Sequence, residues 1–229
     1  MGVVVFPITT ESGTGCDVRI TSSQCTVEEY VQALSGALEH LSLARLWSEG
    51  RDCLGCDLCC AERIPVTWPD LVRLTRIEPE VDLAAAGTGF NNTLTSVFRR
   101  CFSVYVNGSF ADIVLKRTEA GRCIFLSRKG TCEIYPLRPF VCRTFICCPL
   151  SARARRLREV ITNAGQDELV RWWLHQVKKG EIYPWFDEAD DPCLDTAAWK
   201  TNPFSRKTKF SEVLIKDLVS DRLWNTLTQ

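Results

Sequence analysis

The stretch Cys53-Leu54-Gly55-Cys56-Asp57-Leu58-Cys59-Cys60 carries four cysteines within eight residues. Two cysteines separated by two residues can turn both sulfurs toward one ion at about 2.3 Å, and structural zinc sites and iron–sulfur clusters both use this spacing. Because adjacent side chains usually diverge, we expect one thiol of the pair Cys59-Cys60 to point away from the centre served by Cys53 and Cys56. The stretch therefore predicts a fold organised around a metal bound by thiolates.

A second group of cysteines follows much further along the chain. The pair Cys147-Cys148 within it poses the same question as Cys59-Cys60. Two metal centres fed from both groups and one centre with spare thiols are both compatible with this pattern. We expect the isolated Cys16 and Cys25 to lie outside the metal set. The second group comprises Cys123, Cys132, Cys142, Cys147 and Cys148.

A disulfide framework is the alternative use of so many thiols, since cysteine makes up 13 of the 229 residues. Three observations count against it. The thiol count is odd, residues 1–7 lack the positive region of a signal peptide, and a chain of this length can bury a core without covalent links. We therefore expect a reducing intracellular compartment, the cytoplasm first, with the mitochondrial matrix or another organelle as alternatives.

The charges of the chain balance, with 28 Lys plus Arg against 28 Asp plus Glu. This balance creates no global field that would point to nucleic acid or to a membrane surface. No apolar run approaches the length needed to span a bilayer. We therefore expect no membrane partner.

Hydrophobic periodicity predicts an α+β fold, with a small helical and short-stranded domain around the metal site and a helical C-terminal extension. We expect three segments: an N-terminal segment and helix at 1–50, the metal-binding domain at 51–149, and a helical extension with a tryptophan-rich tail at 150–229. Residues 1–25 are expected to be irregular.

Local signals predict the elements within these segments. The sequence Thr26-Val27-Glu28-Glu29 is a capping box that opens a first helix, and Thr67 caps a second. The dipeptide Asn107-Gly108 indicates a β-hairpin. The other expected elements are a short helix at 79–86, a turn at 87–89, strands at 101–106, 110–117, 123–126 and 132–135, and a helix at 150–179 interrupted near Gly165.

Several separated motifs together resemble one known family. The Cys-x-x-Cys-x-x-Cys-Cys run at 53–60 leads into Ile64-Pro65-Val66-Thr67 and Asp70-Leu71, and two further motifs follow at 123–126 and 132–145. Their order is similar to that of the YkgJ-type cysteine-cluster family of zinc- or iron-chelating domains, over residues 53–148. The resemblance implies metal ligation by Cys53, Cys56, Cys59, Cys60, Cys123, Cys132, Cys142 and Cys147.

The identity of the metal depends on the donor set. Zinc sites often include histidine, but the only histidines, His40 and His175, lie far from the cysteine motifs. Sites built from thiolates alone suit both zinc and iron–sulfur clusters. A related group, the flagellin lysine-N-methylases, carries a similar cysteine block and is associated with an iron–sulfur cluster. That resemblance favours an iron–sulfur cluster, with zinc as the alternative.

Two arginines, Arg138 and Arg143, bracket Cys142. Guanidinium groups at these positions could offset the thiolate charge and donate hydrogen bonds to sulfur. We therefore predict that both support the bound cofactor. The alternative is that Arg138 pairs with a carboxylate and holds the loop in place.

The chain contains no recognised catalytic motif. The first hypothesis is therefore a metal-binding structural, assembly or interaction module. The alternative is a redox or methyl-transfer enzyme that uses an iron–sulfur cluster, by analogy with the flagellin lysine-N-methylases, and a metal or redox sensor is a third possibility. We expect a protein partner at residues 150–229, and the Arg153–Arg158 run is either an RNA-binding or acidic-partner surface or a solvated helix face.

Overall fold

The structure is a computed structural model, and it describes residues 2–44, 56–77, 88–145, 147–182, 188–190, 193–194, 196 and 199–229. Cys53 and the helix expected at 79–86 therefore lie outside the described residues. The elements in chain order are β1 Val3–Thr10, β2 Gly13–Ile20, α1 Val27–His40, α2 Trp68–Leu74, α3 Thr88–Cys101, β3 Phe102–Asn107, β4 Phe110–Leu115, α4 Phe140–Thr144, α5 Ala152–Lys178, β5 Glu188–Asp190, α6 Ile215–Leu218 and α7 Asp221–Thr228. This mixture of helices and short strands confirms the α+β class.

The N-terminal segment is a β-hairpin, so the expectation of an irregular stretch at 1–25 is wrong. Strands β1 and β2 pair antiparallel in an unbroken register from Val3–Ile20 to Thr10–Gly13. Gly13 has a φ of 107°, a left-handed conformation that glycine adopts without the penalty of a side chain. The hairpin places Cys16 in the core with no exposed surface.

The two capped helices form as their local signals predict. Thr26 accepts a hydrogen bond from the Glu29 N–H at 3.3 Å, and Glu29 Oε2 accepts one from the Thr26 N–H at 2.9 Å. Thr67 and Asp70 form the equivalent box at the start of α2. Helix α3 begins at Thr88, where the sequence predicts a turn, so the turn prediction is wrong at this point.

Helix α5 runs without a break through Gly165, contrary to the expected interruption. A Cβ atom at position 165 would lie 2.6 Å from Cβ of Thr67, which is closer than two carbon atoms can pack. Gly165 therefore serves the close approach of α5 to the beginning of α2. It does not end the helix.

The hairpin around Asn107-Gly108 is confirmed, with β3 and β4 paired antiparallel from Phe102–Leu115 to Asn107–Phe110. Strand β5 adds to the other edge of β3 in parallel. The strands expected at 123–126 and 132–135 do not form. Only isolated bridges join Arg117 to Cys123 and Leu126 to Cys132 there.

Two hydrophobic cores share helix α5. The first core packs the N-terminal hairpin and α1 against the beginning of α5 and against C-terminal residues such as Phe204 and Phe210. The second core packs α2, α3 and the β3–β4 hairpin against the later part of α5, where Trp173 is 1% exposed. The C-terminal segment therefore folds back onto the body of the protein. Within the described part of the chain, no helix combines the length and the apolar character that crossing a bilayer requires.

Candidate metal centre

The two cysteine groups meet at a single cavity of about 60 Å³. Cys59 and Cys60 come from the short 3-10 turn Leu58–Ala61, and Cys142 comes from α4. The cysteines that the structure describes are all free thiols. The thiols lining the cavity are Cys56, Cys59, Cys60, Cys123, Cys132, Cys142 and Cys147. Of the eight ligands that the family resemblance implies, every one within the described residues lines this cavity.

Backbone and ion-pair contacts join the two groups across more than fifty positions of sequence. The Cys123 N–H donates to the carbonyl of Cys60 at 2.7 Å. The guanidinium of Arg122 pairs with the carboxylate of Asp57. Arg117 Nη1 donates to the carbonyl of Ala61 at 3.1 Å. These contacts fix the turn at 58–61 against the loop that begins at Cys123.

Cys123 and Cys132 are brought to the same cavity by a compact loop. The Glu133 N–H donates to the carbonyl of Phe125 at 2.9 Å, and the Leu126–Cys132 bridge closes the loop. Gly130 has a φ of 75° at the turn, where a side chain would be strained. The loop thus replaces the two strands expected here and still delivers both thiols.

A buried carboxylate, that of Asp70, positions the helix that carries Cys142. Asp70 Oδ1 accepts a hydrogen bond from the Phe140 N–H at 2.8 Å, which fixes the start of α4. Its Oδ2 accepts from the N–H and the hydroxyl of Thr67 at 2.9 and 2.8 Å. Burial raises the pKa of Asp70 to about 6, against the opposing effect of these hydrogen bonds. One side chain therefore joins the beginnings of α2 and α4.

The structure resolves the two doubled cysteines differently. Cys59 and Cys60 both line the cavity, contrary to the expectation that one of them points away. In the second pair, Cys147 lines the cavity while Cys148 lies in the first hydrophobic core. The sulfur of Cys148 is 4.0 Å from that of Cys16. Cys147 therefore shares the cavity with the other candidate ligands, whereas Cys148 forms a buried thiol pair with Cys16.

The protonation of the thiols depends on their burial and on the hydrogen bond between Cys59 and Cys60. The Cys60 thiol donates a hydrogen bond to Cys59, which lowers the pKa of Cys59 to about 7 and raises that of Cys60. Burial raises the pKa of Cys123, Cys132 and Cys142. Cysteine binds a metal as the thiolate, so metal binding must release the protons of these thiols.

The donor chemistry fits a thiophilic metal, because seven sulfurs surround one cavity. Among the residues that the structure describes, no three His, Cys, Asp or Glu side chains stand close enough to form a ready-made ligand set. The sulfurs of the described cysteines thus surround one cavity, but they are not close enough together to coordinate one ion as they stand.

The two arginines predicted to support the cofactor have different positions. Arg138 lines the cavity, and its guanidinium stacks 3.6 Å from the ring centroid of Tyr135. Its positive charge lowers the pKa of Cys59 and Cys132, though other effects on each are larger. Arg143 instead pairs with Glu28 of α1, with Nη2 2.8 Å from Oε1. Arg138 is therefore the arginine whose charge faces the cavity thiols, and Arg143 joins α4 to α1.

We expect Arg138→Ala to weaken metal binding by roughly 10–100-fold, the usual effect of losing a partner that supports metal ligands. The matched change Arg143→Ala should leave metal affinity unchanged and lower the free energy of unfolding by about 1 kcal/mol, since its ion pair is partly exposed. Chelator competition measures the first quantity and urea denaturation the second. Equal metal affinities in the two variants would contradict this division of roles.

Sequence reasoning missed two features of this site. The ion pair between Arg122 and Asp57 carries no local signal, since the two residues are far apart in sequence. The capping box formed by Thr67 and Asp70 can be read from neighbouring residues. The hydrogen bond that the Phe140 N–H donates to Asp70 cannot, because it joins residues 70 positions apart.

Comparison with known proteins adds one finding. Residues 52–163 match the family model CxxCxxCC, described as "Putative zinc- or iron-chelating domain". This range contains all seven cysteines that line the cavity, and it extends into the first part of α5. No curated protein and no solved structure matches the chain.

Proposed function

Because residues 52–163 of this chain belong to the CxxCxxCC family of zinc- or iron-chelating domains, we propose that the protein holds a thiolate metal centre in a structural, assembly or interaction module. The observation that carries this proposal is the convergence of seven cysteines from separate segments on one cavity. Thiolate ligands contribute folding free energy when they bind a metal. Here they would link the turn at 58–61, the loop at 123–132 and the segment that begins with α4.

An iron–sulfur cluster is the metal group we favour, with zinc as the alternative. Seven sulfurs line this cavity, and all-thiolate ligation suits both groups. The resemblance to the flagellin lysine-N-methylases is what favours the cluster. The described lining residues include no histidine, since His40 ends α1 and His175 lies in the last turn of α5. A bound cluster supplies strong bonds to thiolate and the capacity for electron transfer. The protein contributes the sulfurs, the positive charge of Arg138 and a partly buried site.

The proposed partner surface lies on the exposed part of residues 150–229. Within the arginine run, Arg153 pairs with Asp17, and Arg158 packs against the ring of Phe145. Arg155 and Arg156 are exposed, and Arg156 pairs with Glu159 on the same helix. An acidic protein surface or RNA would therefore meet mainly Arg155 and Arg156.

Metal analysis tests the proposal directly. We expect the protein purified without oxygen to contain iron and acid-labile sulfide and to absorb broadly in the visible range, because the thiol donors can hold a cluster and the flagellin lysine-N-methylase resemblance favours one. Stoichiometric zinc without sulfide would contradict the cluster and leave the thiolate centre intact, and a protein without bound metal would contradict both. Binding of S-adenosylmethionine to the same preparation would favour the methyl-transfer alternative.

A further inference from the structure

A second cleft, of about 590 Å³, lies apart from the cysteine cavity. Helix α2 forms one side of it, and the segment that leads into the 3-10 turn Phe210–Glu212 forms the other. None of its lining residues belongs to the candidate metal set.

Positive charge predominates on the walls of this cleft. Arg73, Arg76 and Lys209 are its three cationic residues, and Glu28 is its single carboxylate. Glu28 is already paired with Arg143 at 2.8 Å, which adds a fourth cation behind it. The nearby carboxylate of Glu212 accepts hydrogen bonds from the backbone N–H groups of Thr208 and Lys209. Both carboxylates therefore have other partners, and Asp70 is the further carboxylate that acts on Arg73. Among the described lining residues the cations outnumber the carboxylates by three to one.

Arg73 carries a buried donor that has no acceptor among the described residues. That donor is its Nε–H, whereas one of its terminal nitrogens donates to the carbonyl of Pro136. Burial, and then the charge of Arg143, lower the pKa of Arg73. A buried donor without an acceptor is rare in folded proteins and indicates a missing partner. An anionic oxygen would supply both the acceptor and the missing negative charge.

We propose that this cleft binds a small organic polyanion, bearing phosphate or several carboxylates, through Arg73, Arg76 and Lys209. The volume lies in the range of about 300–1,000 Å³ typical of small-molecule sites. Arginine recognises phosphate and carboxylate oxygens with paired hydrogen bonds. Pro69, Val72 and Phe210 provide an apolar wall for the organic part of the ligand.

A small ligand fits these observations better than a polynucleotide does. The chain as a whole has a net charge of zero, so it lacks the extended positive field that attracts a nucleic-acid backbone. The positive charge is confined to one cleft. The cleft shares no lining residue with the cysteine cavity, so anion binding to it can be measured with or without bound metal.

Calorimetric titration of the full-length protein tests this proposal with pyrophosphate and citrate as separate probes. We expect at least one of them to bind with a stoichiometry of one, and the stronger probe identifies phosphate or carboxylate as the preferred group. Arg76→Ala and Lys209→Ala should each weaken that binding about tenfold, the effect of losing about 1.4 kcal/mol of ionic contact. Both side chains are exposed, so these variants should fold normally.

Arg19→Ala is the matched control, because Arg19 is an exposed arginine that lies on β2 and does not line the cleft. It should bind the probe as the unaltered protein does. The proposal is overturned if neither probe binds, if Arg19→Ala weakens binding as much as Arg76→Ala does, or if a single-stranded RNA oligonucleotide binds and both small anions fail.

Discussion

Replacing Cys147 with serine should remove the metal, whereas replacing its neighbour Cys148 with alanine should leave the metal bound. The two thiols are adjacent in sequence, but only Cys147 lines the cavity, while Cys148 packs against Cys16 in the hydrophobic core. Loss of a residue that merely supports a ligand weakens metal binding by roughly 10–100-fold, so loss of a ligand itself should exceed about 100-fold. Metal content after gel filtration and chelator competition measure this difference.

Stability provides a second measurement for the same pair. Cys147→Ser should also lower the free energy of unfolding of the metal-loaded protein, because metal binding stabilises the fold. Cys148→Ala should lower it by about 1 kcal/mol, a typical effect of a small loss of packing. Cys142→Ser is the positive control for metal loss and Cys16→Ala the second negative control. Equal metal loss in the Cys147 and Cys148 variants would show that the ligand set is drawn wrongly.

Replacing Asp70 with alanine should lower the free energy of unfolding by about 2–4 kcal/mol. The change leaves the buried N–H groups of Thr67 and Phe140 without an acceptor, and each such loss costs about 1–3 kcal/mol. Since Phe140 begins the helix that carries Cys142, the variant should also hold metal more weakly. Urea denaturation measures the stability. Asp112→Ala, at an exposed position on β4, is the control and should change it by less than about 0.5 kcal/mol.

The same carboxyl group predicts a pH dependence with a defined sign. The pKa of Asp70 is about 6 in the folded protein against an ordinary value of 3.8, so the folded state binds more protons between these values. Its contribution to the free energy of unfolding should therefore fall by up to about 3 kcal/mol as the pH rises from 4 to 6. Asp70→Asn has no proton to lose, so the difference between the two curves isolates this effect. Parallel curves would contradict it.

Features that depend on a few neighbouring residues could be predicted from the sequence. The capping box at Thr26, the cap at Thr67 and the hairpin at Asn107-Gly108 all form, because each depends on hydrogen bonds or backbone preferences within about four residues. The N-terminal hairpin was missed because its strands alternate weakly and contain Pro7 and two glycines, Gly13 and Gly15. The break expected at Gly165 was wrong because a packing contact with Thr67, and no local signal, explains that glycine.

The amino-acid sequence by itself determined the chemistry of the candidate site, since the number and spacing of its cysteines select thiophilic metals. Only the tertiary structure decided which thiols share the cavity. Cys147 and Cys148 are chemically identical neighbours, and their different positions depend on the backbone bonds that join Cys16 of β2 to Pro149 and Ser151, directly after Cys148. Arg143 pairs with Glu28 for the same reason, because the partner lies 115 residues away in the chain. Contacts between distant segments arise from packing of the whole chain, which no local pattern encodes.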